Sequence, residues 1–213
     1  MIIGLLNQKG GVGKTTLSVS IAHQLVLEKP KSRVLVVDAD PQQSSLTWSS
    51  VRDDVAPFSV VGLPKKTIHR DLQGLAEGYE HVVIDGPPRV TDLARSCILA
   101  SDLVIIPCTP SPYDVWASAE TVNLVREALD FKKNLKFFFA INRKIVNSAI
   151  GRDVKNALLD MEVDVFKSHI SQRVLFAEAA ASGKTVLDCD PRGKAASEIK
   201  KLVKEIKKTQ KIG

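Results

Sequence analysis

The sequence predicts an α/β fold, a doubly wound and mostly parallel sheet flanked by helices on both faces, and three observations predict it. Short runs of apolar, β-branched residues alternate with helical patterns along the chain. The runs are continuously apolar rather than alternating, as strands covered by helices on both sides must be. A glycine-rich turn, Gly10-Gly11-Val12-Gly13, joins the first run to the first helical segment.

Taken in order, strands are expected at 2–6, 33–38, 81–85, 103–107 and 136–142. Helices are expected near 15–28, 65–77, 91–100, 113–130 and 149–160. Repeated βα alternation of this kind makes a parallel sheet with helical crossovers. The stretch around Pro57–Pro64 reads as a loop or minor hairpin. At the end, Ile199, Leu202, Val203 and Ile206 fall at i, i+3, i+4 and i+7, the apolar stripe of a helix whose other faces carry lysines. No repeat, low-complexity tract or linker interrupts the pattern. Residues 1–213 are therefore expected to form one domain that includes the basic helix at about 194–211.

Composition bounds the function. The 213 residues are 44% hydrophobic and only 5% aromatic, so Val, Ile, Leu and Ala must build the core. Mean hydropathy is +0.00, which fits a globular protein rather than a disordered one. No apolar stretch approaches the roughly 20 residues that span a bilayer, and no basic leader precedes a long apolar core. Cys97, Cys108 and Cys189 are widely spaced with no C-x-x-C pair, the usage of reduced cysteines in a cytoplasmic protein without a metal cluster. The net charge is +6, and residues 194–213 carry seven lysines against Glu198 and Glu205. A basic end of this kind suits an anionic partner, nucleic acid or a membrane surface.

The glycine turn carries the chemistry. An apolar strand, a glycine-rich loop and Lys14-Thr15 opening a helix form a phosphate cradle of the P-loop NTPase type. Backbone N–H groups point inward, and the helix N-terminus adds partial positive charge. Lys14 would reach the outer phosphates, and the Thr15 hydroxyl would ligate Mg²⁺. The pattern G-x-x-x-x-G-K-[ST] places its first glycine at Gln8, and an additional lysine, Lys9, follows. In open α/β sheets ligands bind at the carboxyl ends of the strands. There Asp38 and Asp40 close one strand, Asp85 another, and Asn142 with Arg143 a third. The apolar strand ending at Asp85 suits a second Mg²⁺ contact. Asp38 and Asp40, at i and i+2, would face one side, one organising metal-bound water and the other orienting the attacking water.

Lys9-Gly10-Gly11-Val12-Gly13-Lys14-Thr15-Thr16, Val36-Val37-Asp38-Ala39-Asp40-Pro41-Gln42 and Val83-Ile84-Asp85-Gly86-Pro87-Pro88 together resemble the ParA/MinD family of P-loop ATPases. Ser101–Pro107 and Ile141-Asn142-Arg143 are similar to the same family, and the likeness spans the chain. The first strand begins at residue 2, which resembles the short plasmid-partition ParA branch.

The resemblance implies ATP and Mg²⁺ as cofactors and residues 9–16 as the nucleotide loop. Lys9 would act across an ATP-sandwich homodimer, Lys14 on the bound phosphates, and Thr16 on the α-phosphate. Asp40 would position the hydrolytic water and Asp38 would lie nearer the metal shell with Thr15 and Asp85. Asn142 would read adenine beside Arg143, with a core-capping role for Asn142 as the alternative. Arg173, Lys200, Lys204 and Lys207 would contact non-specific DNA, a face that Lys144, Arg152 and Lys155 could extend. A ParB-like centromere-binding protein or cargo adaptor would stimulate slow hydrolysis on a nucleoid-associated protein. The alternative is a MinD-like membrane-associated positioning ATPase. That reading wants bulky apolar residues in the terminal helix, and Lys207–Gly213 offers only Ile212.

Overall fold

The computed structural model describes residues 1–89, 91–145 and 150–210. Six strands form one sheet: β1 (Ile2–Leu5), β2 (Val34–Asp38), β3 (Ser59–Gly62), β4 (His81–Asp85), β5 (Leu103–Cys108) and β6 (Lys136–Ile141). Their spatial order is β3-β2-β4-β1-β5-β6, and every pairing is parallel. Strands β2 and β5 are buried end to end, and β1 and β4 are buried except for a half-buried first residue, which explains their apolar runs.

Described helices cover both faces: α1 (Lys14–Glu28), α2 (Ser44–Ser50), α3 (Ile68–Leu75), α4 (Asp92–Ala100), α5 (Pro112–Leu129), α6 (Ile150–Leu159), α7 (Leu175–Ala181), α8 (Val186–Cys189) and α9 (Lys194–Thr209). Two apolar clusters result, one on each side of the sheet. Leu35, Ile84, Val104 and Phe139 point to the side of α3, α4 and α5. Ile3, Leu5, Val36 and Ile105 point to the side of α1 and α9. Alternate residues of one strand thus feed opposite clusters, the period-two geometry of a sheet.

Helix α1 starts where Gly13 adopts φ +93° and runs until Lys29, beyond which Pro30 removes a donor. In α9 the stripe Ile199, Leu202, Val203 and Ile206 is at most 1% exposed and packs with Leu17 and Ile21 of α1. Burying each such side chain stabilises by about 1.5–3 kcal/mol.

The stretch around Pro57–Pro64 is corrected. Residues 59–62 form the parallel edge strand β3, with Leu35 opposite Ser59 and Asp38 opposite Gly62. Only four residues long and exposed at both ends, β3 shows no continuous apolar run. Short, exposed strands of this kind are usual at sheet edges.

Candidate functional site

The sheet register brings the site together. Asp38 ends β2 directly beside Asp85 at the end of β4, and Leu5 of β1 lies opposite Asp85 on the other side. The chain leaves β1 into residues 7–13 and enters α1 at Lys14, so the glycine loop sits over these strand ends. Gly11 and Gly13 have φ of +78° and +93°, a region that side chains disfavour. A Cβ on Gly13 would also lie 2.2 Å from the Asn142 amide nitrogen.

The loop is held from three directions. The Asn142 Nδ2 donates to the Val12 carbonyl at 2.7 Å. The Asn7 Nδ2 donates to the Pro107 carbonyl at 2.8 Å, while its Oδ1 accepts from the Lys9 N–H at 3.0 Å. Gln8, standing where the pattern expects glycine, donates from Nε2 to the Ala117 carbonyl of α5 at 2.7 Å. A glycine could not make that bond.

Lys14 folds back over the loop, its Nζ 3.0 Å from the Asn7 carbonyl and 3.2 Å from that of Lys9. Burial lowers its pKa, while Asp85 and Asp40 pull the other way. Such an ammonium is held ready for anionic oxygens that replace its carbonyl partners. Lys9 takes a different course: its ammonium pairs with the Asp114 carboxylate of α5, whose side chain is 5% exposed. The Thr109 hydroxyl donates to the other Asp114 oxygen.

The acidic corner is equally ordered. The Asp85 Oδ2 accepts from the Thr15 and Ser45 hydroxyls, both at 2.7 Å. Burial pushes its pKa up to about 6, more than those hydrogen bonds lower it, and Asp38 adds repulsion. Asp38 is fully buried and accepts from the backbone N–H groups of Asp40 at 3.1 Å and Leu46 at 3.0 Å. Its pKa is also raised by burial. Asp40 lies past the end of β2, so strand alternation does not place it. Its carboxylate accepts from the Gln42 N–H at 2.9 Å in a turn.

No group of three or more His, Cys, Asp or Glu side chains among the described residues could hold a metal ion alone. Thr15 and Asp85 nevertheless fit Mg²⁺, which takes one or two protein oxygens and completes its octahedron with phosphate and water. A cation there would also relieve the charge cost that burial places on Asp85.

Beyond the loop, a cleft of about 860 Å³ is lined by Gly13, Thr16, Asn142, Arg143, Arg173 and Phe176 among others. Its volume suits a ligand the size of a nucleoside. Asn142 therefore both braces the loop and faces the cleft, while exposed Arg143 borders it at φ +52°.

Of the expected DNA residues, Lys200, Lys204 and Lys207 fall at i, i+4 and i+7 on α9 and are all exposed, whereas Arg173 lies beside the cleft. Arg173 pairs with Glu198 at 2.7 Å beside the cleft. Lys207 pairs with Glu28 at 2.7 Å, and the Lys200 Nζ donates to the Pro191 carbonyl at 2.7 Å. Lys204 is exposed on α9, Lys144 is half-buried after β6, and Lys155 is half-buried on α6. The side chain of Arg152 lies outside the described residues, as do residues 211–213.

Sequence reasoning missed Asn7, Gln8 as an anchor, Ser45 and Asp114. Asp114 had a signal: it follows the carboxyl end of β5 within six residues, as Asn142 follows β6. Ser45 had none, because its link to Asp85 depends on how α2 folds back.

Comparison with known proteins agrees with this geometry. Residues 3–186 match the family described as the CobQ/CobB/MinD/ParA nucleotide binding domain. The chain is 30% identical over 210 residues to maintenance of carboxysome distribution protein A of Halothiobacillus neapolitanus, covering 96% of this chain and 95% of that protein. It is 26% identical over 254 residues to the sporulation initiation inhibitor protein Soj of Bacillus subtilis, covering 96% and 97%. Among solved structures, the septum site-determining protein MinD of Pyrococcus horikoshii, complexed with Mg-ADP, superposes with a TM-score of 0.76. That alignment is 19% identical and covers 98% of this chain and 96% of that one.

Proposed function

We propose, from the premise that the chain belongs to the CobQ/CobB/MinD/ParA nucleotide-binding domain family, that it is an ATP hydrolase that positions DNA or a protein cargo. ATP binding closes a homodimer, the dimer holds non-specific DNA, and hydrolysis stimulated by a ParB-like protein or cargo adaptor releases it. The observation that carries the reading is the Thr15 hydroxyl 2.7 Å from Asp85 at the head of the glycine loop.

Each residue has a task in that reading. ATP with Mg²⁺ supplies the transferable phosphoryl group and the cation that offsets its charge. Loop N–H groups and the start of α1 hold the phosphates, with Thr16 at the inner end. Lys14 exchanges its two carbonyl partners for phosphate oxygens. Thr15 and Asp85 hold the metal, and Asp38, locked by two backbone N–H groups, stands behind them. Asp40 orients water for in-line attack. Lys9 leaves Asp114 and places its ammonium on the partner's nucleotide, as an arginine finger does. Asn142 and Arg143 border the base.

The DNA face is best supported around Lys144 and Lys201. Burial lowers the pKa of His169, and Lys144 and Lys201, from separate segments, lower it further while Glu198 raises it, so two positive charges and one negative charge meet there. Lys204 lies one turn along α9. Arg173 and Lys207, each in an ion pair, contribute less than their sequence positions imply. No described helix is long and apolar enough to cross a membrane, and the proposed location is the cytoplasm, on the nucleoid.

The test is ATP turnover with DNA and a candidate adaptor. Wild type should show stimulated hydrolysis and Asp40→Ala should not; equal turnover in both removes Asp40 from the mechanism. Lys9→Ala should bind ATP yet remain monomeric. A Lys9→Ala dimer as tight as wild type would exclude action across the interface.

A further inference from the structure

The first two turns of α5 carry two large aromatic side chains turned outward. Tyr113 is 72% exposed and Trp116 66% exposed. Their rings meet edge to face, centroids 5.4 Å apart at 83°. The chain has only two tryptophans, and the other, Trp48, is buried and stacks on Phe58. Aromatic side chains bury much area at low entropic cost, which is why they anchor interfaces.

Position says which interface. Asp114, next to Tyr113 and two residues before Trp116, holds the Lys9 ammonium. Pro110 and Asp114 share a hollow of about 430 Å³ with Lys9, Gly10 and Gly11. The aromatic pair therefore stands at the same end of α5 as the Lys9 contact but on the outward face of the helix, turned away from the buried Asp114. The first turn of α5 carries Asp114 and no basic residue, so it does not attract DNA.

We propose that Tyr113 and Trp116 are the apolar anchor of a two-fold interface with a second copy of this chain. The inference rests on the dimer reading above. A contact that delivers Lys9 to a second subunit also brings the adjoining turn of α5 against that subunit. Two-fold symmetry then supplies the same aromatic patch twice.

Acrylamide quenching of tryptophan emission reads the patch directly, because Trp116 is exposed and Trp48 is not. With a non-hydrolysable ATP analogue, at concentrations where sedimentation shows a dimer, quenching should fall about threefold. The double variant Tyr113→Ser, Trp116→Ser should need a roughly tenfold higher protein concentration to dimerise. Its affinity for a fluorescent ATP analogue as a monomer should be unchanged, which shows that it is folded. If wild type stays monomeric with the analogue, the dimer reading itself fails. If wild type dimerises while Trp116 stays quenchable, or the double variant dimerises like wild type, the patch assignment fails and the dimer stands. Protection of Trp116 only after an adaptor protein is added would overturn the second copy as occupant.

Discussion

Gly13 and Asp85 show how single residues are tuned for a charged ligand at some cost to stability. Gly13 occupies φ +93° directly beneath the Asn142 amide. Alanine there costs about 1–3 kcal/mol in backbone strain, and its methyl group displaces the amide that braces Val12. Gly13→Ala should therefore weaken nucleotide binding at least about tenfold, measured by titration with a fluorescent analogue. Asp85 carries the opposite kind of strain. Its folded pKa of about 6 stands above the ordinary 3.8 because burial penalises the charge. The native state thus binds this proton more tightly than the unfolded chain does. Between about pH 4 and 6 the Asp85 contribution to stability falls as pH rises, and above pH 6 the full penalty persists. Asp85→Asn should accordingly stabilise the ligand-free protein at pH 7.5 by about 1–3 kcal/mol. The gain should vanish near pH 4, and Mg²⁺-dependent nucleotide binding should be lost. Thermal unfolding at both pH values, with and without Mg-ATP, checks the pair of signs.

At the scale of elements, α9 couples packing to the basic surface. Ile199 is fully buried against α1, the helix that opens with Lys14 and Thr15. Ile199→Ala should cost about 2–4 kcal/mol in chemical denaturation through the cavity it leaves. Elements of this kind were legible in the sequence because burial writes a pattern: the stripe of α9 has helical period, and β1, β2, β4, β5 and β6 have apolar interiors, with polar residues only at their ends. The edge strand β3 was not legible, since Ser59 and Gly62 are exposed and one side of the strand has no neighbour. Short α2, α7 and α8 also escaped notice, being four to seven residues with no room for a repeat. The site follows the same division. The glycine loop, Asp38 and Asp85 were visible because local order and strand ends fix them. Partners set by tertiary folding were not: Lys9 with Asp114, Arg173 with Glu198, Ser45 with Asp85.

At the scale of the whole molecule, the reading requires ATP to change DNA affinity without changing the DNA-contacting residues. The arithmetic of valence supplies a route. One subunit offers a few free lysines, whereas a dimer offers each of them twice on one duplex, and the second engagement is intramolecular. Counterion release makes this countable, because log K falls with log salt by about 0.9 for each phosphate neutralised. Lys201 and Lys204 lie on the exposed face of α9, so neither substitution disturbs the buried stripe. Lys201→Gln should reduce the salt slope by about 0.9 in the nucleotide-free monomer and by about 1.8 in the ATP-bound state. Fluorescence anisotropy on one duplex across a potassium chloride series measures both slopes. Sedimentation under the same conditions confirms the oligomeric state. An equal change in the two states would mean that a single subunit meets DNA throughout, and ATP would then have to act on the lysines themselves. A doubled change ties the grip on DNA to the number of subunits, and through Lys9 to the nucleotide that joins them.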